Sequence, residues 1–73
     1  MTAGTARERL TAFLVAQADR NFCDACLARA VGIDPSTAYR AATRAPRVAG
    51  FVREYGLCSD CGASRLVTRA TLL

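Results

Sequence analysis

The stretch CDACLARAVGIDPSTAYRAATRAP, residues 23–46, holds the signals that decide the fold. Residues 24–31 read as a short helix, and the glycine that follows predicts its end, because glycine readily adopts the left-handed conformation there. Asp34 and Pro35 then predict a new helix start, since Asp caps exposed N–H groups and Pro suits the first helical position. We therefore expect a second helix over residues 35–45.

The residues before this stretch predict a further helix. The tetrapeptide TARE at residues 5–8 matches the capping box, in which Thr and Glu satisfy each other's backbone N–H groups at a helix start. Leu10, Phe13 and Leu14 follow with helical spacing. We expect this helix to span residues 6–18.

The residues after the stretch change character. GFVREY at residues 50–55 and SRLVTR at residues 64–69 have the β-branched and aromatic content of strands. The turn-rich segment at residues 56–62 connects them, so a hairpin is expected. The predicted fold class is α+β, with three helices followed by a β-hairpin in a single domain over residues 1–73.

Four cysteines form two Cys-x-x-Cys pairs, Cys23 with Cys26 and Cys58 with Cys61. Each pair presents two sulfurs on one tight turn, and two such turns complete a tetrahedral zinc site. The 31 residues between the pairs exceed the usual spacing of a zinc ribbon, which indicates a helical unit inserted between the halves of the site. We predict structural Zn²⁺, because four thiolates leave no open position for water or substrate.

Other uses of the cysteines stay open at this point. Two disulfides suit a secreted domain, a redox dithiol needs only one pair, and four thiolates also hold iron–sulfur clusters. Unmetallated core cysteines are the remaining alternative. We rank zinc first because all four cysteines fall into two such pairs with none left over.

Length and hydropathy restrict the class of protein. A chain of 73 residues buries only roughly 60% of the surface it exposes when unfolded, so a metal is a useful source of stability. No apolar run approaches the roughly 20 residues of a membrane span, and the first residues lack the pattern of a secretory signal. We expect a cytoplasmic protein with no membrane partner.

The charge is uneven along the chain. All ten cationic residues are arginine, and residues 1–34 carry four of them against four acids. Residues 35–73 carry six arginines against two acids and hold the whole net charge of +4. This clustering indicates a surface that faces a polyanion.

The segment IDPSTAYRAA at residues 33–42 resembles the recognition helix of bacterial winged helix-turn-helix regulators, on the strength of Ser36, Thr37, Tyr39 and Arg40. GFVR at residues 50–53 is similar to the start of the wing strand in those families. The resemblance implies a small winged helix-turn-helix fold that binds DNA. The alanines of the helix and the cysteine pair in the hairpin turn depart from the family pattern.

The helix over residues 35–45 also predicts DNA contact from its own chemistry. Arginine forks read guanine, and Ser or Thr hydroxyls near a helix start suit phosphates or base edges. The alternative is a solvated polar face, and Tyr39 suits the core equally well. The candidate DNA-binding residues are Ser36, Thr37, Tyr39, Arg40, Arg44, Arg47 and, on the second strand, Arg65.

Two functions follow from these patterns. The first is sequence-specific binding of double-stranded DNA by a small transcriptional regulator, expected to act as a homodimer. The alternative is a protein–protein interaction adaptor of phage or plasmid type that docks on a larger partner with the same fold. An enzyme with a small-molecule substrate is not expected, because the chain has no His and no Gly-rich phosphate loop.

Overall fold

A computed structural model describes residues 5–47 and 50–71, and of Arg47 only the backbone. The elements are α1 (Ala6–Ala16), β1 (Phe22–Cys23), α2 (Asp24–Val31), α3 (Pro35–Arg44), a 3-10 turn (Ala45–Arg47), β2 (Phe51–Leu57) and β3 (Ser64–Ala70). The predicted α+β class is confirmed. Within these ranges no helix has the length and apolar character that a membrane crossing needs.

Helix α1 begins with the predicted capping box. The Thr5 hydroxyl accepts the Glu8 N–H at 3.1 Å, and the Glu8 carboxylate accepts the Thr5 N–H at 2.8 Å. The helix ends at Ala16, two residues before the expected end, because the chain turns there and Asp19 adopts a φ of 67°. The Asp19 N–H donates to the Ala70 carbonyl at 2.8 Å, which holds the end of α1 beside β3.

Helices α2 and α3 enclose the predicted turn. Helix α2 has the expected bounds, and Gly32 ends it with a φ of 70°. The Asp34 carboxylate accepts the Ser36 N–H at 3.0 Å and starts α3. Helix α3 ends at Arg44, one residue early, because Pro46 has no N–H to continue the α-helical ladder.

The sheet has three strands, in the order β1-β3-β2, with every pair antiparallel. Val67 at the centre of β3 lies opposite Cys23 on one side and Glu54 on the other. The predicted hairpin is therefore present, and β1 extends it by two residues on the far edge of β3. This extra pairing brings the first cysteine pair to the sheet.

The core lies between the helices and the sheet. Leu10, Leu14 and Leu27 are fully buried, and the small residues of α3 face them. Phe13 and Phe22 meet edge to face, with ring centroids 5.1 Å apart. Alanines Ala38 and Ala42 allow close approach of the helices, so the absence of larger side chains on α3 is compatible with a packed core.

A buried ion pair connects α2 to the sheet. The Arg53 side chain on β2 is 8% exposed and donates to both carboxylate oxygens of Asp24 at 2.9 Å. It also donates to the hydroxyl of Thr68, which is fully buried, at 2.8 Å. The guanidinium lies 5.6 Å from the ring centroid of Tyr39 on α3. One side chain therefore contacts three other elements.

Replacing Asp24 by Ala should destabilise the metal-loaded protein by about 3 kcal/mol, because it leaves the Arg53 charge buried without its partner. Urea denaturation followed by circular dichroism measures the change. Glu54→Ala is the matched control, since it breaks the more exposed Arg69–Glu54 pair and should cost less than about 1 kcal/mol. Equal losses in the two variants would contradict the structural role of the buried pair.

Candidate metal centre

The four cysteines lie at junctions that the sheet brings together. Cys23 ends β1 and Cys26 lies in the first turn of α2, so the first pair spans a strand–helix junction. Cys58 directly follows β2, and Cys61 lies in the turn before β3. Gly62, with a φ of 75°, permits this turn, and its N–H donates to the Cys58 carbonyl at 2.9 Å.

The four sulfur atoms all lie within 4.8 Å of one another. The sulfurs of Cys23 and Cys61 are 3.8 Å apart, and those of Cys26 and Cys58 are 3.7 Å apart. A tetrahedral ion with bonds of about 2.3 Å separates its thiolates by about 3.8 Å. All four cysteines are free rather than bridged. The predicted convergence of the two pairs is confirmed, and the cluster can hold one metal ion.

The surroundings of the cluster act unequally on its thiols. Burial opposes ionisation of Cys58, but the backbone N–H groups of Cys61, Cys23 and Asp60 outweigh it and lower the pKa of Cys58 to about 6. Burial raises the pKa of Cys26 above its ordinary value, and hydrogen bonds with its neighbours act in the same direction. A cation among the sulfurs supplies the charge that lets all four ionise together.

One guanidinium lies against the cluster. Arg29 on α2 donates to the sulfur of Cys26 at 3.4 Å and lies 3.9 Å from the carboxylate of Asp60. Its charge offsets part of the net charge of about −2 that four thiolates and a divalent ion carry. Sequence reasoning missed this residue, although its position three residues after Cys26 on a helix is a usable signal.

The end of the β2–β3 hairpin lies against the residue before β1. The Ser59 N–H donates to the Asn21 carbonyl at 2.7 Å, and the Asn21 N–H donates to the Ser59 hydroxyl at 3.1 Å. The Asn21 side-chain amide donates to the Leu57 carbonyl at 3.3 Å. These bonds hold the second cysteine turn beside the first without any ion.

The residues predicted to bind DNA occupy different surroundings. On α3, Arg40 and Arg44 are exposed, Thr37 is half-buried, and the exposed Ser36 is hydrogen-bonded to Asp34. Tyr39 is 54% exposed, so the core alternative is wrong. Arg65 is exposed on β3, and the side chain of Arg47 lies outside the described part of the chain.

A groove joins part of this set to α1. It has a volume of about 510 Å³ and runs between the first turn of α1 and the outer face of α3. Its lining residues are Thr5, Ala6, Arg7, Thr37, Arg40, Ala41 and Arg44. Sequence reasoning did not place Arg7 here, because only the packing of α1 against α3 brings it beside Arg40. Arg65 does not line the groove.

Cys58→Ser should abolish both stoichiometric metal binding and the cooperative thermal transition, because a small metallodomain draws folding free energy from its ion. Metal content per chain and melting by circular dichroism should be measured on the same sample. Asp60→Asn changes a neighbouring side chain, leaves all four thiols in place and should preserve both properties. A Cys58→Ser protein that holds no metal yet melts as before would contradict the structural role.

Comparison of the chain with protein-family models, with curated proteins and with solved structures gives no match.

Proposed function

We propose that this protein binds double-stranded DNA sequence-specifically, as a small transcriptional regulator whose α3 reads the major groove and whose fold depends on a structural Zn²⁺. The observation that carries the proposal is the outer face of α3. Arg40 and Arg44 lie four residues apart and exposed, and neither has an ion-pair partner within residues 5–47 and 50–71. Free arginine forks on one helix face suit guanine edges and phosphates.

The contrast with other arginines strengthens this assignment. Arg53 pairs with Asp24, and Arg69 pairs with Glu54 at 2.6 Å. Arg29 lies beside Asp60 and the cysteine cluster. These arginines have structural partners, whereas the arginines of α3 do not. Two of the arginines that carry the surplus positive charge of the second half of the chain therefore lie on the exposed face of α3.

The arrangement of α2, the turn at Gly32 and α3 supports a helix-turn-helix, with β2 and β3 in the position of a wing. The apolar face of α3 is buried through Ala38 and Ala42, which leaves the opposite face to solvent. The end of the hairpin is hydrogen-bonded to Asn21 through the Ser59 N–H. We therefore assign the reading of bases to α3 rather than to the hairpin. Arg65 on β3 then serves as a contact to a flanking phosphate.

Zinc is the ion that this cluster supports best. The sulfur separations of 3.7 and 3.8 Å fit a single ion with four thiolate ligands. An iron–sulfur cluster places several atoms between its cysteines and needs a wider separation of the sulfurs. A closed shell of this kind has no position for substrate, so the role is structural. It connects the start of α2 to the end of the hairpin.

A homodimer in the cytoplasm completes the proposal. Helix α3 has ten residues and contacts few base pairs, so a palindromic site read by two copies supplies the remaining specificity. Free thiols at the cluster suit a reducing compartment.

The adaptor function has one observation in its favour. A second groove, of about 630 Å³, lies along α1 and includes Ala12, Val15, Ala45 and Phe51 in its lining. Val15 is 47% exposed, which is high for a large aliphatic side chain. An apolar groove of this kind suits a partner helix. The DNA function is preferred because Arg40 and Arg44 do not line this groove and lie on the exposed face of α3.

Protein purified without added metal should contain one zinc ion per chain. Replacement by Co²⁺ should give the absorption of a tetrahedral tetrathiolate complex, because the ligand set determines the spectrum of that ion. Elemental analysis of the native protein measures the first property. Iron in place of zinc, or fewer than four sulfurs in an X-ray absorption spectrum, would contradict the assignment.

Arg40→Ala and Arg44→Ala should each weaken binding to a duplex selected from random DNA, with zinc content and thermal stability unchanged. Fluorescence anisotropy across a salt series measures the effect. For the wild-type protein, log K should fall with log salt by about 0.9 for each phosphate contact.

Arg20→Ala is the matched control for these variants. It removes the same charge from the other end of α1, where Arg20 contacts Gln17 and lies over the Phe22 ring. Its effect on binding should be small. If the wild-type protein fails to bind duplex DNA at low salt, or if the α3 variants bind as the control does, the DNA function is wrong and the adaptor function is favoured.

A further inference from the structure

We propose that the groove between α1 and α3 binds a backbone phosphate of duplex DNA, and that Arg7 is its third guanidinium. This inference rests on the DNA-binding function proposed above and extends the contact surface to α1. It assigns a role to Arg7, which lies outside the helix-turn-helix pattern and outside the positively charged second half of the chain.

The charge of the groove is the first argument. Arg7, Arg40 and Arg44 line it, and no acidic side chain does within the described residues. None of the three guanidinium groups lies within ion-pair distance of a carboxylate among the residues that the structure describes, although Arg40 contributes, after the hydrogen bonds from Ser36, to lowering the pKa of Asp34. An anion bound in the groove would reduce the repulsion between the like charges of these side chains. The groove therefore has the electrostatic character of an anion site.

The shape of the groove is the second argument. Ala6 and Ala41 are small residues in its lining, so neither fills the space between the arginines with a large side chain. The hydroxyl of Thr37 adds a hydrogen-bonding group between the arginines. Thr5, Ala6 and Arg7 line the groove, so it lies at the N-terminal, positive end of the α1 dipole. The capping box occupies the N–H of Glu8, whereas the N–H groups of Ala6 and Arg7 have no acceptor among the described residues.

A phosphate of a polymer fits these features better than a small free anion. The groove is open along one side rather than enclosed, so a strand can pass through it. Arginine forks match the oxygens of a phosphate in a bidentate geometry. A phosphate held between α1 and α3 also fixes the register of α3 against the bases, which is how backbone contacts contribute to readout.

Arg7→Ala tests the proposal in the full-length, metal-loaded protein. We expect the dependence of log K on log salt to decrease by about 0.9, one phosphate contact, for selected and random duplexes alike. Arg7→Lys should retain the slope, because it keeps the charge, and should bind more weakly than the wild type, because it loses the fork. Arg20→Ala again controls for the loss of one positive charge outside the groove.

A second measurement locates the anion directly. On titration of the ¹⁵N-labelled protein with random duplex DNA, the amide signals of Ala6, Arg7 and Thr37 should shift with those of Arg40. Inorganic phosphate should shift the same signals, but only at much higher concentration. Duplex RNA of the same sequence distinguishes the two nucleic acids, and equal or tighter binding to it would overturn the assignment to DNA.

These measurements distinguish failure of the groove assignment from failure of the proposed DNA function. If Arg7→Ala keeps the wild-type salt slope and the amides of α1 do not shift, the groove assignment is overturned even though Arg40→Ala weakens binding. If inorganic phosphate shifts these amides at lower concentration than duplex DNA does, the groove is a small-anion site. If no duplex binds and no anion shifts these signals, both proposals are wrong.

Discussion

Four sulfur atoms that approach within 4.8 Å form the constraint on which the rest of this structure depends. Two of them come from the junction of β1 and α2 and two from the end of the β2–β3 hairpin, so their convergence joins segments more than thirty residues apart. A domain of 73 residues has a small core, and its α3 contributes mainly alanines. An ion bound by both halves would add stability that such a core lacks.

Hydrogen bonds beside the cysteines connect the two segments that carry them. The Ser59 N–H donates to the Asn21 carbonyl, and the Asn21 N–H donates to the Ser59 hydroxyl. These hydrogen bonds align the two cysteine turns. Arg53 binds Asp24, which directly follows Cys23 and is the first residue of α2. The cysteine cluster and this ion pair therefore involve the same junction, the cluster from the hairpin end and the ion pair from the middle of β2. Together they orient α2, and α3 follows through the short turn at Gly32.

The distribution of arginines connects this framework to the proposed function. Arg53 and Arg69 on the sheet and Arg29 beside the cluster have acidic partners, whereas Arg65 on β3 has none among the described residues. The arginines on the outer face of α3 and at the start of α1 remain free and line one groove. A net charge of +4 is modest for the whole chain, but three arginines without an ion-pair partner among the described residues line one groove. This concentration, more than the total, favours a polyanionic partner.

Local signals in the sequence determined the helix starts and the ligand set. The capping box at Thr5, the Asp34-Pro35 start, the glycine after α2 and the two Cys-x-x-Cys pairs depend on interactions within a few residues, so they were predictable. The tertiary structure alone decided the pairing of β1 with β3, the burial of Arg53 against Asp24 and the meeting of Arg7 with Arg40. Each of these joins residues that are 29 to 46 positions apart, and such contacts depend on how whole elements pack rather than on any local pattern.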